Sequence, residues 1–209
     1  MTDTPEIDAT AAPAIRLTAA ALLLTVMTQI VYVAIRAGGA SPPSDLIWSV
    51  EALAFLAISV AAFAPLARLT TAPLAFAAIA VSGIFNLAQV GMGLAMFGPL
   101  REAGEAAAPV FGAVLAGAFF LFFAAKVLLG TAGILIGGRL LATSGPGKAV
   151  GGLGILAGGA AVTVNSIALS QGMDRWLELA VGIGTLSTLL LAIGLFLLPT
   201  LSARRNQGV

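Results

Sequence analysis

Residues 110–137 read VFGAVLAGAFFLFFAAKVLLGTAGILIG and contain one charged residue, Lys126. An apolar run of about 20 residues is long enough to cross the hydrocarbon core of a bilayer as an α-helix. This stretch is longer than that. We therefore expect a transmembrane helix at this position, with an ionisable side chain inside it.

Further apolar runs lie on both sides of this stretch, at 15–35, 46–67, 73–97, 150–169 and 176–198. Turn-rich breaks separate several of them, at 38–43, 98–99 and 144–147. The second and third runs are separated only by residues 68–72, which predicts a tight helical hairpin. The chain is therefore expected to be all-α, an integral membrane six-helix bundle over 15–199 with short cytoplasmic tails at 1–14 and 200–209.

The composition agrees with a lipid environment and excludes several classes of function. Of the 209 residues 59% are hydrophobic and 9% are charged, whereas a soluble domain carries about 25% charged residues. The net charge is +1 and no basic cluster is interleaved with aromatics, so we expect no nucleic-acid partner. The chain has no cysteine and no histidine, so no disulfide, metal site or cofactor is expected.

The distribution of basic residues predicts the orientation, because lysine and arginine in short loops favour the cytoplasmic side. With the N-terminus inside, that side holds Arg16, Arg68, Arg139, Lys148, Arg204 and Arg205. The other side holds Arg36, Arg101 and Arg175. We therefore expect both ends in the cytoplasm, N-in and C-in. The alanine- and glycine-rich composition is typical of a multi-pass bacterial inner-membrane protein.

The fifth run contains two pairs of glycines at GxxxG spacing, Gly147 with Gly151 and Gly154 with Gly158. Small residues at this spacing allow close helix approach in lipid. We expect them to serve packing inside the chain, with the fifth helix at the centre of the bundle. A homodimer through this helix is the alternative.

Strongly polar side chains inside the runs mark where binding could occur, because such groups are expensive in lipid and face the bundle interior. They are Gln29, Tyr32, Glu51, Asn86, Gln89, Lys126 and Asn165. At 1.5 Å per residue, all of them lie at the midplane or in the outer half of the membrane. Several share helix faces by their spacing, such as Gln29 with Tyr32 and Asn86 with Gln89. This asymmetry predicts a polar cavity that opens toward the periplasm.

Lys126 carries the sharpest hypothesis, because a buried ammonium without a partner is costly. It could bind a proton or an anionic substrate, paired with Glu51, although the estimated depths of the two differ by about 10 Å. It could instead hydrogen-bond Asn86, Gln89 or free carbonyls, or snorkel to the interface. Glu51 could equally be a solvated or capping residue.

The other polar residues also have structural interpretations. Asn86, Gln89 and Asn165 could join helices through hydrogen bonds, and Tyr32, Trp48 and Trp176 could anchor helices at the interface. No nucleophile, base and orienting group are arranged together, and no catalytic motif is present, so we do not expect an enzyme.

The layout of the whole chain resembles a class of small six-span bacterial membrane proteins known as a domain of unknown function. The resemblance rests on the opening helix at 15–35, the hairpin around Ala67-Arg68-Leu69, and Ser144-Gly145-Pro146-Gly147 before the glycine-rich helix. It implies the six-helix fold and carries over no function and no site residues.

Two functions are compatible with these features. The first is an inner-membrane protein that binds or moves a small or lipidic ligand through a polar cavity in the outer half of the bundle. The second is a non-catalytic accessory subunit that packs against a larger membrane complex. The depth asymmetry of the polar residues favours the first.

Overall fold

The computed structural model describes residues 11–68, 72–172 and 175–206. Six of its helices are long and apolar enough to cross a membrane. The helices are α1 (Ala12–Ala37), α2 (Ser44–Arg68), α3 (Pro73–Met92), the short α4 (Gly98–Glu102), α5 (Ala108–Leu141), α6 (Pro146–Gln171) and α7 (Leu177–Asn206). Most of the predicted N-terminal tail and the tip of the hairpin at 69–71 lie outside the described residues.

The helix starts follow the prolines of the sequence. Pro73 and Pro146 are the first residues of α3 and α6, and α1 and α5 also carry a proline in their first two positions. Proline suits this position because its missing N–H would have no helical partner there. Consequently α6 begins at Pro146, four residues before the predicted run. The first residues of α1 and the last residues of α7 lie in the stretches that were predicted as tails.

The predicted break at Gly98-Pro99 is wrong. The third span continues from α3 through a π-helical turn at Gly93–Phe97 into α4, and only then ends. Pro99 lies in the first turn of α4, where proline is tolerated. The chain reverses later, through Gly104 with φ 68° and a 3₁₀ turn at Gly104–Ala107. The third span is therefore longer than its hydropathy suggested.

Five of the long helices form a ring. Within the described residues, α1 contacts α2 and α7, α2 contacts α3, α3 contacts α5, and α5 contacts α7. Helices on opposite sides of this ring, such as α2 and α7, have no Cα atoms within 8 Å of each other in the part of the chain that is described. The ring thus encloses an interior that its five helices share.

The sixth long helix, α6, lies outside the ring and packs on α5 and α7. Gly151 and Gly158 of α6 meet Gly137 and Gly130 of α5 so closely that a Cβ added to Gly158 would lie 2.6 Å from the carbonyl oxygen of Gly130. The expectation that the glycine-rich helix is central is therefore wrong, although its glycines do pack against another helix of the chain. A homodimer through α6 remains a prediction, and it would have to use the opposite face, where Leu156 is exposed.

The ring interior differs at its two ends. At one end, called the closed end, buried apolar side chains from all five helices fill the interior. They include Ile15, Leu22, Ile58, Phe76, Ile79, Ile136, Leu140, Leu191 and Leu195. The other end, called the open end, carries the α1–α2 connection at 38–43 and the α4 segment. The predicted polar residues lie toward the open end.

Candidate ligand-binding cavity

A cavity of about 1170 Å³ occupies the open end of the ring. All five ring helices line it, and within the described residues α6 contributes nothing to its wall. Exposed residues at its rim, such as Arg36, Arg101 and Glu178, show that it opens at this end. Ligand pockets in proteins are usually about 300–1,000 Å³ and mostly apolar. This cavity is large enough for a small molecule or for part of a lipid.

The cavity brings together most of the residues that the sequence singled out. Its lining includes Gln29, Tyr32, Glu51, Asn86, Gln89 and Lys126. They come from α1, α2, α3 and α5, which are distant in sequence and adjacent in the ring. Whether they bind a ligand stays a prediction, but their shared location is a property of the fold.

Asn165 does not belong to this group. It lies on α6, outside the ring, and is completely buried away from the cavity. Its Nδ2 donates a hydrogen bond to the carbonyl oxygen of Ala161 at 2.9 Å, and its Oδ1 has no partner. The prediction that Asn165 belongs with the cavity residues is therefore wrong. The sequence indicated its depth along the helix, but it did not reveal that α6 lies outside the ring.

Lys126 lies in the inner part of the cavity wall on α5. Its side chain is 7% exposed. The methylene stem packs against Gly184 of α7, where an added Cβ would lie 2.9 Å from the Cδ of the lysine. Its Nζ lies 5.3 Å from the ring centroid of Phe122, one helical turn nearer the open end. Since helical side chains lean toward the N-terminus of their helix, the ammonium is directed along the cavity toward its mouth.

The Lys126 ammonium has no hydrogen-bond acceptor in the described part of the protein; its recorded neighbour is the face of Phe122. A cation above an aromatic ring is stabilised by the ring quadrupole, but this does not replace hydrogen bonds to three N–H donors. Among the described residues, Asn86 and Gln89 provide no direct bond to it. The interpretation of Lys126 as a structural hydrogen-bond donor to these amides therefore lacks the required contacts.

Glu51 faces the same cavity from α2, and one of its carboxylate oxygens accepts a hydrogen bond from Thr28 Oγ1 at 2.8 Å. Glu51 and Lys126 interact electrostatically. However, no nitrogen–oxygen contact of 4.0 Å or less joins them. The predicted pairing is thus an attraction across open space rather than a contact ion pair, which leaves the ammonium accessible to a ligand.

The remaining polar residues have partial roles in the wall. Asn86 donates from Nδ2 to the carbonyl oxygen of Ser82 at 3.0 Å. Gln29 accepts at Oε1 from Thr185 Oγ1 at 3.1 Å, which links α1 to α7. Gln89 and Tyr32 line the cavity without a recorded side-chain partner among the described residues. The wall therefore combines fixed amides with groups that are free to bond a ligand.

A cluster of three aromatic side chains and one arginine lies at the mouth of the cavity, and the sequence did not predict it. Phe97 packs edge to face against Trp48 at 5.8 Å and against Phe111 at 5.4 Å. The guanidinium of Arg101 lies over Phe97 and Phe111, at 5.9 and 5.6 Å from their centroids. The π-helical turn produces this arrangement because it rotates Phe97 and Arg101 relative to α3 and packs Gly93 on the Trp48 ring.

Trp48 contributes to the cavity wall, and its role as an interface anchor stays a prediction. Three contacts in the wall were not apparent from the sequence. Gly93 packs on the Trp48 ring, Thr185 of α7 bonds Gln29 of α1, and Gly184 packs on the Lys126 stem. A signal for Phe122 was present, because it precedes Lys126 by one helical turn. No group of three His, Cys, Asp or Glu side chains in the described ranges is placed to hold a metal ion.

The comparisons with known proteins found no match for the chain among family models, curated proteins or solved structures.

Proposed function

We propose that this chain is a bacterial inner-membrane protein that binds a small or lipidic ligand with an acidic group in the open-end cavity. The observation that carries the proposal is Lys126: a lysine that is 7% exposed, lines a large cavity, and has no hydrogen-bond acceptor for its ammonium among the described residues. Ionisable groups at membrane depth are retained where they meet ligands, ions or paired charges.

The rest of the wall supports the same class of ligand. An acid at Lys126 would gain a charge-assisted hydrogen bond, and such bonds are about twice as strong as neutral ones. Phe55, Phe119 and Leu129 supply apolar surface next to the lysine. Arg36 and Arg101 at the mouth add positive charge where a ligand would enter. An amphipathic anion satisfies both the charge and the apolar wall.

We further propose that the cavity opens toward the periplasm, since the basic-residue distribution favours the N-in orientation. Binding is the primary activity in this proposal. Movement across the membrane would require the apolar core of the closed end to separate, because that core fills the ring interior. A carrier role therefore depends on a second conformation, whereas a receptor or sensor role does not.

The alternative role as an accessory subunit predicts that the polar residues are all satisfied within the chain. The Lys126 ammonium argues against it, because none of the described residues accepts a hydrogen bond from it. Native mass spectrometry separates the two functions when the protein is extracted gently from its own membrane. A bound small acid or lipid supports the ligand proposal. Reproducible extra mass of another polypeptide without such a ligand supports the subunit.

Lys148, the other lysine of the chain, provides a matched control for the mass spectrometry. We expect the bound mass to disappear in Lys126→Met and to persist in Lys148→Met, because Lys148 is exposed at the closed end on α6. A bound mass that is equally retained in both variants would contradict the assignment of Lys126. Loss from both would show that the signal depends on net charge rather than on the cavity.

A further inference from the structure

The cavity extends sideways between α1 and α7. On α1, Ile30, Val33 and Ala34 line the cavity and are also exposed. Ile30 is 51% exposed and Val33 is 49% exposed. They lie on the side of α1 that turns away from α2, because Thr28, which bonds Glu51 of α2, is on the other side of the helix. Residues that face both the cavity and the exterior mark a lateral opening.

The matching face of α7 carries Glu178, Val181, Gly182 and Thr185, all of which line the cavity. Their spacing of three and four residues forms one stripe along the helix. Gly182 is exposed, and no atom lies within 4 Å of where its Cβ would be. We call this opening, between Ile30, Val33 and Ala34 of α1 and Val181 and Gly182 of α7, the α1–α7 cleft.

The cleft reaches Lys126 at its inner end. Thr185 donates to Gln29 there and joins the two helices. The preceding residue, Gly184, contacts the methylene stem of Lys126. The cleft therefore leads to Lys126, whose ammonium has no hydrogen-bond acceptor in the part of the chain that the structure describes.

We propose that the ligand is a single-chain amphiphile with an acidic head, a carboxylate or a phosphate monoester. Its head pairs with Lys126 and its acyl chain lies in the α1–α7 cleft, so that it enters from the bilayer. This inference rests on the proposed function and adds the ligand class and its route. The cleft suits an acyl chain because its exposed walls lie within helices that are long and apolar enough to cross a membrane, where they would face lipid tails.

The position of Gly182 gives a direct test. In Gly182→Trp the indole would fill the cleft without a clash at Cβ. The matched control is Gly159→Trp, because Gly159 of α6 also has nothing within 4 Å of a Cβ and does not line the cavity. Both variants are reconstituted in lipid nanodiscs, and saturable binding of tritiated palmitate and of 1-palmitoyl lysophosphatidate is measured. The tighter probe identifies the head group as carboxylate or phosphate.

A second readout reports the aqueous mouth. An anionic, water-soluble methanethiosulfonate reagent is applied to Leu115→Cys, since Leu115 lines the cavity on α5 and is partly exposed. We expect Gly182→Trp to weaken amphiphile binding by at least about tenfold, the value of a few buried methylene groups. The reagent rate should stay within about twofold of that in the parent protein, because the mouth at Arg101 remains open. Gly159→Trp should change neither quantity.

The outcomes separate this inference from the proposed function. Unchanged amphiphile affinity in Gly182→Trp, together with loss in Lys126→Met, would overturn the cleft and leave the lysine site in place. An equal fall in amphiphile binding and reagent rate would also overturn it, because the cleft would not be a separate route. Absence of saturable binding by both amphiphiles would overturn the ligand class. Undiminished binding in Lys126→Met would overturn the proposed function itself.

Discussion

The two ends of the ring are built by the same five helices and differ in what fills the space between them. At the closed end the interior holds Leu22, Phe76, Ile136 and Leu195, all within 2% of full burial. At the open end the same helices surround a cavity of about 1170 Å³ with polar and aromatic walls. We infer that the apolar core of the closed end supplies most of the stability of the bundle. The open end can therefore hold the Lys126 ammonium without a contact ion pair.

Helix α5 shows this division within one element. Its second half, with Leu129, Ala132 and Ile136, belongs to the apolar core. Its first half, with Ala118 and Phe122, faces the cavity. Lys126 lies near the boundary between the two halves. Its methylene stem packs against Gly184 of α7, where an added side chain would meet it.

The largest expected effect of a single substitution breaks the close packing between α5 and α6. Gly158→Leu would place a side chain against the carbonyl oxygen of Gly130, 2.6 Å from the first added atom. Overpacking typically costs about 1–3 kcal/mol, and more where the added side chain meets backbone. We therefore expect the free energy of unfolding to fall by at least about 3 kcal/mol. Unfolding in mixed micelles with increasing dodecyl sulfate, followed by circular dichroism, measures this change.

Gly159→Leu is the matched control, because the adjacent glycine has no atom within 4 Å of an added Cβ. It should change the free energy of unfolding by less than about 1 kcal/mol. Equal destabilisation by the two variants would mean that helix propensity, rather than the contact with α5, determines the result. The role of the glycine seam would then be contradicted.

A smaller effect is expected at the open end, on ligand affinity rather than stability. Glu51→Gln removes a negative charge from the cavity and keeps an oxygen that can accept the Thr28 hydrogen bond. Repulsion between Glu51 and an acidic ligand then disappears, so we expect affinity for the anion to rise by about three- to tenfold. Equilibrium binding of the acid identified by mass spectrometry measures this.

Glu178→Gln is the control for Glu51→Gln, since Glu178 is an exposed acid at the rim, where water screens its charge. It should alter affinity by less than about twofold. A fall in affinity in Glu51→Gln would contradict the account. It would indicate that the carboxylate binds a cationic part of the ligand or holds the ammonium in place.

The sequence predicted six long apolar helices, and six are present among the described residues, because an apolar run is a direct property of the chain. It also predicted which polar side chains share a depth, and Gln29, Asn86 and Lys126 do meet in one cavity. It failed for Asn165 because depth along a helix contains no information on which helices surround the interior. Only the contacts between helices reveal that α6 lies outside the ring.

The mouth of the cavity was missed for a different reason. Gly98-Pro99 has the composition of a turn, so the third helix was expected to end there. In the fold, the π-helical turn at Gly93–Phe97 and α4 carry Arg101 onto the rings of Phe97 and Phe111. A π-helical turn inserts a local change of register that apolar periodicity does not reveal. The residues at the mouth, Phe97, Arg101 and Phe111, could therefore be identified only from the fold.

The most direct test of the central claim compares two single-cysteine variants of this cysteine-free chain. Leu115→Cys lies on the cavity wall, where Leu115 is partly exposed, and Ala132→Cys lies in the closed-end core, where Ala132 is completely buried. Rates of modification by anionic and cationic methanethiosulfonate reagents are measured with and without Lys126→Met. We predict reaction at position 115 alone, with a preference for the anionic reagent that falls by at least about tenfold in Lys126→Met. Equal reaction at both positions, or an anion preference that persists in Lys126→Met, would contradict the account.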